Sequence, residues 1–216
     1  MYETIIFDLD GTLLDTLDDL TDAVNAALLK CGLPIREKEE VRGFVGNGIK
    51  KLIERAVGRE KQAFVGQALQ AFKDHYALHC QDKTAPYTHI IETLRAMQEK
   101  GAKLAIVSNK ADFAVQILTK EYFGTLIDVA VGENEEMGVR KKPAPDSLFA
   151  VMERLQADKA KTVYVGDSEV DIQTAVAAGV DCISVAWGFK DENFLLENGA
   201  STLARTPTEL LKLCGY

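Results

Sequence analysis

The chain has 216 residues, 47% of them hydrophobic and 27% charged, which suits a globular protein with one sizeable domain or a domain carrying an insertion. Its formal net charge of -8 and isoelectric point near 5.0 argue against general attraction to nucleic acid or anionic membrane, so an anionic substrate needs local positive partners. No apolar run approaches the roughly 20 residues of a membrane span, and the first residues enter strand-like sequence without a basic, cleavable leader, so a cytoplasmic protein is expected.

In chain order, the apolar run Thr4 to Phe7 reads as a buried strand that ends in Asp8-Leu9-Asp10. Side chains at i and i+2 of an extended chain share a face, so the two acids sit together with Leu9 turned away. Two like charges so close either face solvent or share a cation. The interval from about 15 to 83 holds no convincing strand. There Leu17, Leu20, Val24, Ala27, Leu28 and Cys31 follow helical spacing, and Gly32 with Pro34 supplies the stop. Further helices are expected at about 37–43, 48–57 and 60–80.

Within this block, residues 43–51 read GFVGNGIKK. Glycines before a helix start leave N–H groups free for an anion such as a substrate carboxylate. Gly46, Asn47 and Gly48 are therefore candidate substrate-binding residues, with Arg42, Lys50 and Lys51 nearby; plain capping and turning is the alternative. Ile49 stands where a P-loop needs lysine, and no third glycine completes a dinucleotide fingerprint. His75 and His79 lie four apart with Cys80 adjacent, but Tyr76 replaces the glutamate of a helical zinc motif, so an ordinary helix surface is expected. Cys31, Cys80, Cys182 and Cys214 are scattered, as free thiols in a reducing compartment would be.

Beyond the block, β-rich runs at Lys103–Val107, Ile127–Val131, Thr162–Val165 and Cys182–Ala186 alternate with helical patterns near 88–100, 111–121, 145–157 and 169–178. This alternation predicts an α/β fold: a Rossmann-like parallel sheet over 1–14 and 85–216, with an all-helical cap inserted over 15–84. Open α/β sheets bind ligands at the carboxyl ends of their strands. The first strand ends in Asp8-Leu9-Asp10, the second in Ser108-Asn109-Lys110, and the fourth in Gly166-Asp167-Ser168 with Asp171 beyond. The basic knot Arg140-Lys141-Lys142-Pro143 lies between the third and fourth.

DLDGT, VSNK, KKP and VGDSEVD, in this order, resemble the motifs of the haloacid dehalogenase superfamily, and the likeness covers nearly the whole chain. With GFVGNGI and KPAP added, the pattern is most similar to its phosphoglycolate phosphatase branch. The resemblance implies a Mg²⁺-dependent phosphomonoester hydrolase acting through an aspartyl phosphate on a small phosphorylated metabolite, 2-phosphoglycolate foremost. It makes Asp8 the nucleophile and Asp10 the acid and base, while Ser108 and Lys142 neutralise the phosphoryl oxygens. Lys142 is preferred to Lys141 because it directly precedes Pro143. The implied Mg²⁺ ligands are Asp8, the main-chain carbonyl of Asp10, and Asp167, with Asp171 acting directly or through water. Thr12 and Asn109 are expected at the phosphate.

No nucleic-acid or membrane partner is expected, and monomer and homodimer both stay open. A sugar phosphomutase similar to β-phosphoglucomutase is the alternative, but Leu17-Asp18-Asp19-Leu20 lacks that family's cap-linker histidine. Pyrophosphatase or nucleotidase specificity uses the same core. Asp10 favours phosphoester chemistry over halide displacement, whose leaving group needs no proton. An idle binding protein that kept the fold would show a broken motif, and none is broken.

Overall fold

Apolar runs that do not alternate with polar residues belong to strands covered on both faces, and the first strand, Thr4–Phe7, is buried at every position. The computed structural model describes residues 1–133 and 137–216. Among these the strands are β1 Thr4–Phe7, β2 Leu14–Asp15, β3 Ala85–Pro86, β4 Lys103–Ala111, β5 Val129–Glu133, β6 Thr162–Gly166, β7 Asp181–Val185 and β8 Leu203–Ala204. The helices are α1 Leu17–Lys30, α2 Lys38–Phe44, α3 Ile49–Val57, α4 Val65–His79, α5 Ile90–Glu99, α6 Asp112–Tyr122, α7 Asp146–Leu155, α8 Glu169–Ala178, α9 Glu192–Glu197 and α10 Pro207–Leu213. The chain divides into two compact units, Met1–Leu14 with Pro86–Tyr216, and Asp15–Ala85. Each crossover falls within a two-residue strand, and these strands, β2 and β3, pair with each other.

The first unit is built on a six-stranded sheet in the order β5-β4-β1-β6-β7-β8, parallel at every pairing. Phe7 is level with Ile106 of β4 on one side and Val165 of β6 on the other. The chain adds β4 and β5 to one flank of β1 and later strands to the other, so strand order reverses at β1, where such sheets bind ligands. One core cluster joins Ile6, Ala105, Val107 and Tyr164 to Leu148, Val151 and Met152 of α7 and to Ala175 and Ala178 of α8.

The second unit is helical. On α1, Leu17, Leu20, Ala23, Val24, Ala27 and Leu28 make one buried stripe, and α1 packs along α4. Asp19 on the same helix is buried and takes hydrogen bonds from the Lys83 and Thr84 N–H groups at 3.0 and 2.8 Å and from the Thr84 hydroxyl at 2.7 Å.

Several element boundaries differ from those expected. β4 continues past Val107 to Ala111, with a register shift against β5 between those residues, so Ser108, Asn109 and Lys110 lie inside the strand. The helix expected at 60–80 begins as a 3₁₀ segment, Arg59–Phe64, with non-helical backbone at Lys61, and α4 follows. β5 starts at Val129. Beyond residue 186, α9, β8 and α10 are additional: Asp191 and Thr206 cap the two helices through their side chains, and Pro207 opens α10. No helix among the described residues is long and apolar enough to cross a membrane.

Candidate active site

Because β1 lies between β4 and β6, the first residue beyond it is flanked by the ends of both. The Asp8 N–H donates to the Val165 carbonyl at 2.8 Å, which carries the β1–β6 ladder one step further and fixes the Asp8 backbone. Asp8 is 8% exposed. Its Oδ1 accepts from the Leu9 N–H at 2.7 Å and lies 3.0 Å from Lys142 Nζ. Ser108 also hydrogen-bonds the Asp8 carboxyl. Carboxylate oxygens of Asp8, Asp167 and Asp171 all lie within 4.8 Å of one another.

Electrostatics follow from this crowding. Burial, with Asp171 and Asp10 adding repulsion, pushes the Asp8 carboxyl up to about 6 against the pull of Lys142 and Ser108. Burial and then the Asp171 and Asp8 charges hold Asp167 well above the ordinary carboxylate range, although the Phe189 N–H favours its anion. For Lys142, burial works against the charge, but Asp171 and Asp8 outweigh it and keep the ammonium well above its ordinary value. Lys142 thus pairs with two of three clustered carboxylates, a set of ligand groups that could hold a further cation.

Lys142 is 4% exposed and its Nζ lies 2.7 Å from Asp171 Oδ1. Asp171 is fully buried, and its Oδ2 accepts from the Ser168 N–H and hydroxyl at 3.1 and 2.6 Å. It therefore closes the capping box of α8, with Ser168 rather than Asp167 as the cap residue. Thr12 is buried with its hydroxyl 3.4 Å from Asp167 Oδ1.

Two further residues have partners that the sequence did not disclose. Asn109, expected at the phosphate, clamps the main chain of Lys142: its Oδ1 accepts from the Lys142 N–H at 2.8 Å and its Nδ2 donates to the Lys142 carbonyl at 3.0 Å. The Asp10 carboxylate pairs with Lys110, its oxygens 2.9 and 3.2 Å from Nζ. Lys110 is 4% exposed. The VSNK run contained it, but a strand expected to stop at Val107 gave no reason to turn it inward.

The segment after β7 is the part that sequence reasoning missed. The Trp187 indole N–H donates to the Thr12 carbonyl at 3.0 Å, and the Phe189 N–H donates to Asp167 Oδ2 at 2.7 Å. Between them, Gly188 has no room for a side chain, since a Cβ would stand 2.4 Å from the Gly11 carbonyl and from Asp167 Cβ. The strand-end rule applied to β1, β4 and β6 also covers β7 and would have pointed here.

In the helical unit, Gly46 and Gly48 take positive φ of 113° and 83°, and Gly48 caps α3 without a side-chain bond. Asn47 Oδ1 accepts from Arg55 Nη2 at 2.7 Å, so Asn47 braces α3 rather than capping it. Arg42 pairs with Glu39 at 3.5 Å and Lys51 with Glu54 at 2.6 Å; Lys50 is exposed. The His75 and His79 rings lie tilted against each other with centroids 4.5 Å apart, and His79 bonds Asp82; neither joins a cluster of three metal-ligating groups among the described residues.

A switch-point sheet with an acidic trio and a buried lysine at its strand ends marks an α/β enzyme site suited to a cation and an anionic group, and comparison with known proteins gives the class. Residues 5–185 match the haloacid dehalogenase-like hydrolase family. The phosphoglycolate phosphatase of Pseudomonas syringae pv. syringae is 34% identical over 217 residues, covering 97% of this chain and 79% of the relative. That of Aquifex aeolicus is 33% identical over 210 residues, covering 97% and 95%. A crystal structure from Lactobacillus delbrueckii subsp. bulgaricus, provisionally named a phosphoglycolate phosphatase, superposes with a TM-score of 0.93 at 37% identity, covering 100% of this chain and 99% of that one. The chain belongs to the haloacid dehalogenase-like hydrolase family and is a phosphatase of that family.

Proposed function

We propose that the enzyme hydrolyses a small phosphomonoester, 2-phosphoglycolate, through an aspartyl phosphate on Asp8, with Mg²⁺ as cofactor. The observation that carries this reading is the buried cluster of Asp8, Asp167 and Asp171 at the end of β1, with the Lys142 ammonium paired to Asp8 and Asp171. The relatives named phosphoglycolate phosphatase support the choice of substrate.

The donor set fits a hard divalent cation, being carboxylate oxygens with charge left uncompensated by one lysine. Asp8, Asp167 and the main-chain carbonyl of Asp10 would hold it, and Asp171, whose oxygens accept from Ser168 and Lys142, supports them. When bound, Mg²⁺ neutralises charge on the transferring phosphoryl group.

Asp8 attacks phosphorus, which splits one displacement into two. With Oδ1 engaged by Leu9 and Lys142, the other oxygen serves as nucleophile. Lys142 and Ser108 supply positive charge and a hydroxyl to the phosphoryl oxygens. Asp10, held by Lys110 Nζ at 2.9 Å, protonates the departing alcohol and then takes a proton from the attacking water. The helical unit is the cap in this reading, with Gly46, Asn47 and Gly48 in its substrate-selecting segment. The mutase alternative is disfavoured by the sequence alone, since Leu17-Asp18-Asp19-Leu20 carries no histidine. Four free cysteines suit a reducing, cytoplasmic setting.

The test is phosphate release from 2-phosphoglycolate, sugar phosphates, nucleotides and pyrophosphate, with Mg²⁺ and with chelator. Mg²⁺-dependent release fastest on 2-phosphoglycolate is expected. Release led by another compound would move the substrate, and none from any of them would overturn the reading.

A further inference from the structure

Tyr164 lies on β6, two residues before Gly166. Its ring is fully buried in the apolar cluster with Ile6, Val107 and Leu148, a place that phenylalanine would fill equally well. The hydroxyl is what distinguishes the two, and it is fully used: it accepts from Lys142 Nζ at 2.9 Å and donates to the Val107 carbonyl at 2.8 Å.

A lysine ammonium has three N–H donors. In Lys142 two of them are hydrogen-bonded, to Asp171 Oδ1 at 2.7 Å and Tyr164 Oη at 2.9 Å, and Nζ is also ion-paired with Asp8 Oδ1 at 3.0 Å. Because the tyrosine proton goes to Val107, its lone pairs are free to face the ammonium, so the direction of this bond is set by the strand behind it. The Asp8 ion pair is the one that must be shared when a phosphoryl group arrives on that residue. The Asp171 and Tyr164 bonds do not involve the reacting group and hold Nζ meanwhile. Val107 precedes Ser108, so the same hydroxyl also ties Lys142 to the β4 backbone that presents the serine.

We propose that Tyr164 is a positioning residue, whose hydroxyl fixes the Lys142 ammonium and registers it against β4 at Ser108. The inference rests on the reading that Asp8 accepts the phosphoryl group. Tyr164→Phe keeps the ring and removes only the hydroxyl. Its kcat on 2-phosphoglycolate should fall about 10- to 100-fold, as for loss of a bond to a charged group, with KM within about threefold. A second readout does not depend on activity. In ¹H–¹⁵N spectra, the slowly exchanging ammonium signal that Lys142→Met deletes should be shifted or lost in Tyr164→Phe. A kcat within twofold of wild type, a loss confined to KM, or an unchanged ammonium signal would overturn the proposal. If wild type releases no phosphate from any substrate, the phosphatase reading fails, and the ammonium signal still decides whether Tyr164 holds Lys142.

Discussion

Asp8 binds its proton more tightly in the folded protein than an ordinary aspartate does, about 6 against 3.8, because it is buried beside Asp171. A carboxyl raised on folding contributes stability below its ordinary value, and that contribution is lost as pH rises through about 6. Thermal melts in chelator should therefore show the gap between wild type and Asp8→Asn moving in wild type's favour as pH falls from 8 to 5, by about 1.4 kcal/mol; a flat or opposite trend contradicts the crowding. Asp10→Asn should cost about 100-fold or more in kcat with an alkyl phosphoester, and much less with p-nitrophenyl phosphate, whose leaving group needs little protonation. Equal losses would remove Asp10 as proton donor. Asp8, Asp10 and Asp167 were legible in the chain because each follows a strand, Lys142 because it stands beside a proline in a basic run, and Asp171 because it lies four residues beyond Asp167. Tyr164 was not: a tyrosine in an apolar strand carries no mark of where its hydroxyl goes until β4 lies next to β6.

At the scale of elements, the turn after β7 serves Asp167 through its backbone. Gly188→Ala would drive a methyl into Asp167 and the Gly11 carbonyl, each 2.4 Å away, and displace the Phe189 N–H bond. Mg²⁺ affinity should weaken about 10- to 100-fold, as followed by fluorescence of Trp187, the chain's single tryptophan. Affinity unchanged from wild type would show that this turn does not position Asp167. In the helical unit, Asp19→Ala strips acceptors from two N–H groups and a hydroxyl at Lys83 and Thr84, and should cost about 2–4 kcal/mol in urea denaturation. The exposed Asp22 that pairs with Lys83 is the control, and its alanine variant should leave the midpoint in place. Periodicity located α1 and α8 because their buried stripes or small-residue faces are continuous. It misjudged β4, because Ser108, Asn109 and Lys110 are polar and yet buried, paired with Asp8, Lys142 and Asp10 instead of with solvent.

For the whole molecule, the alternation of strands and helices was enough to expect a parallel sheet with a helical insertion. The order β5-β4-β1-β6-β7-β8 then explains why residues distant in sequence meet around Asp8. The central claim is that Asp8 carries the phosphoryl group during turnover. Its most direct test is acid quenching of the enzyme in steady state with ³²P-labelled 2-phosphoglycolate and Mg²⁺. The account predicts protein-bound label that is released by hydroxylamine, as an acyl phosphate is, that maps to the peptide containing Asp8, and that is absent in Asp8→Asn. Turnover with no protein-bound label, or label on another residue, would contradict it.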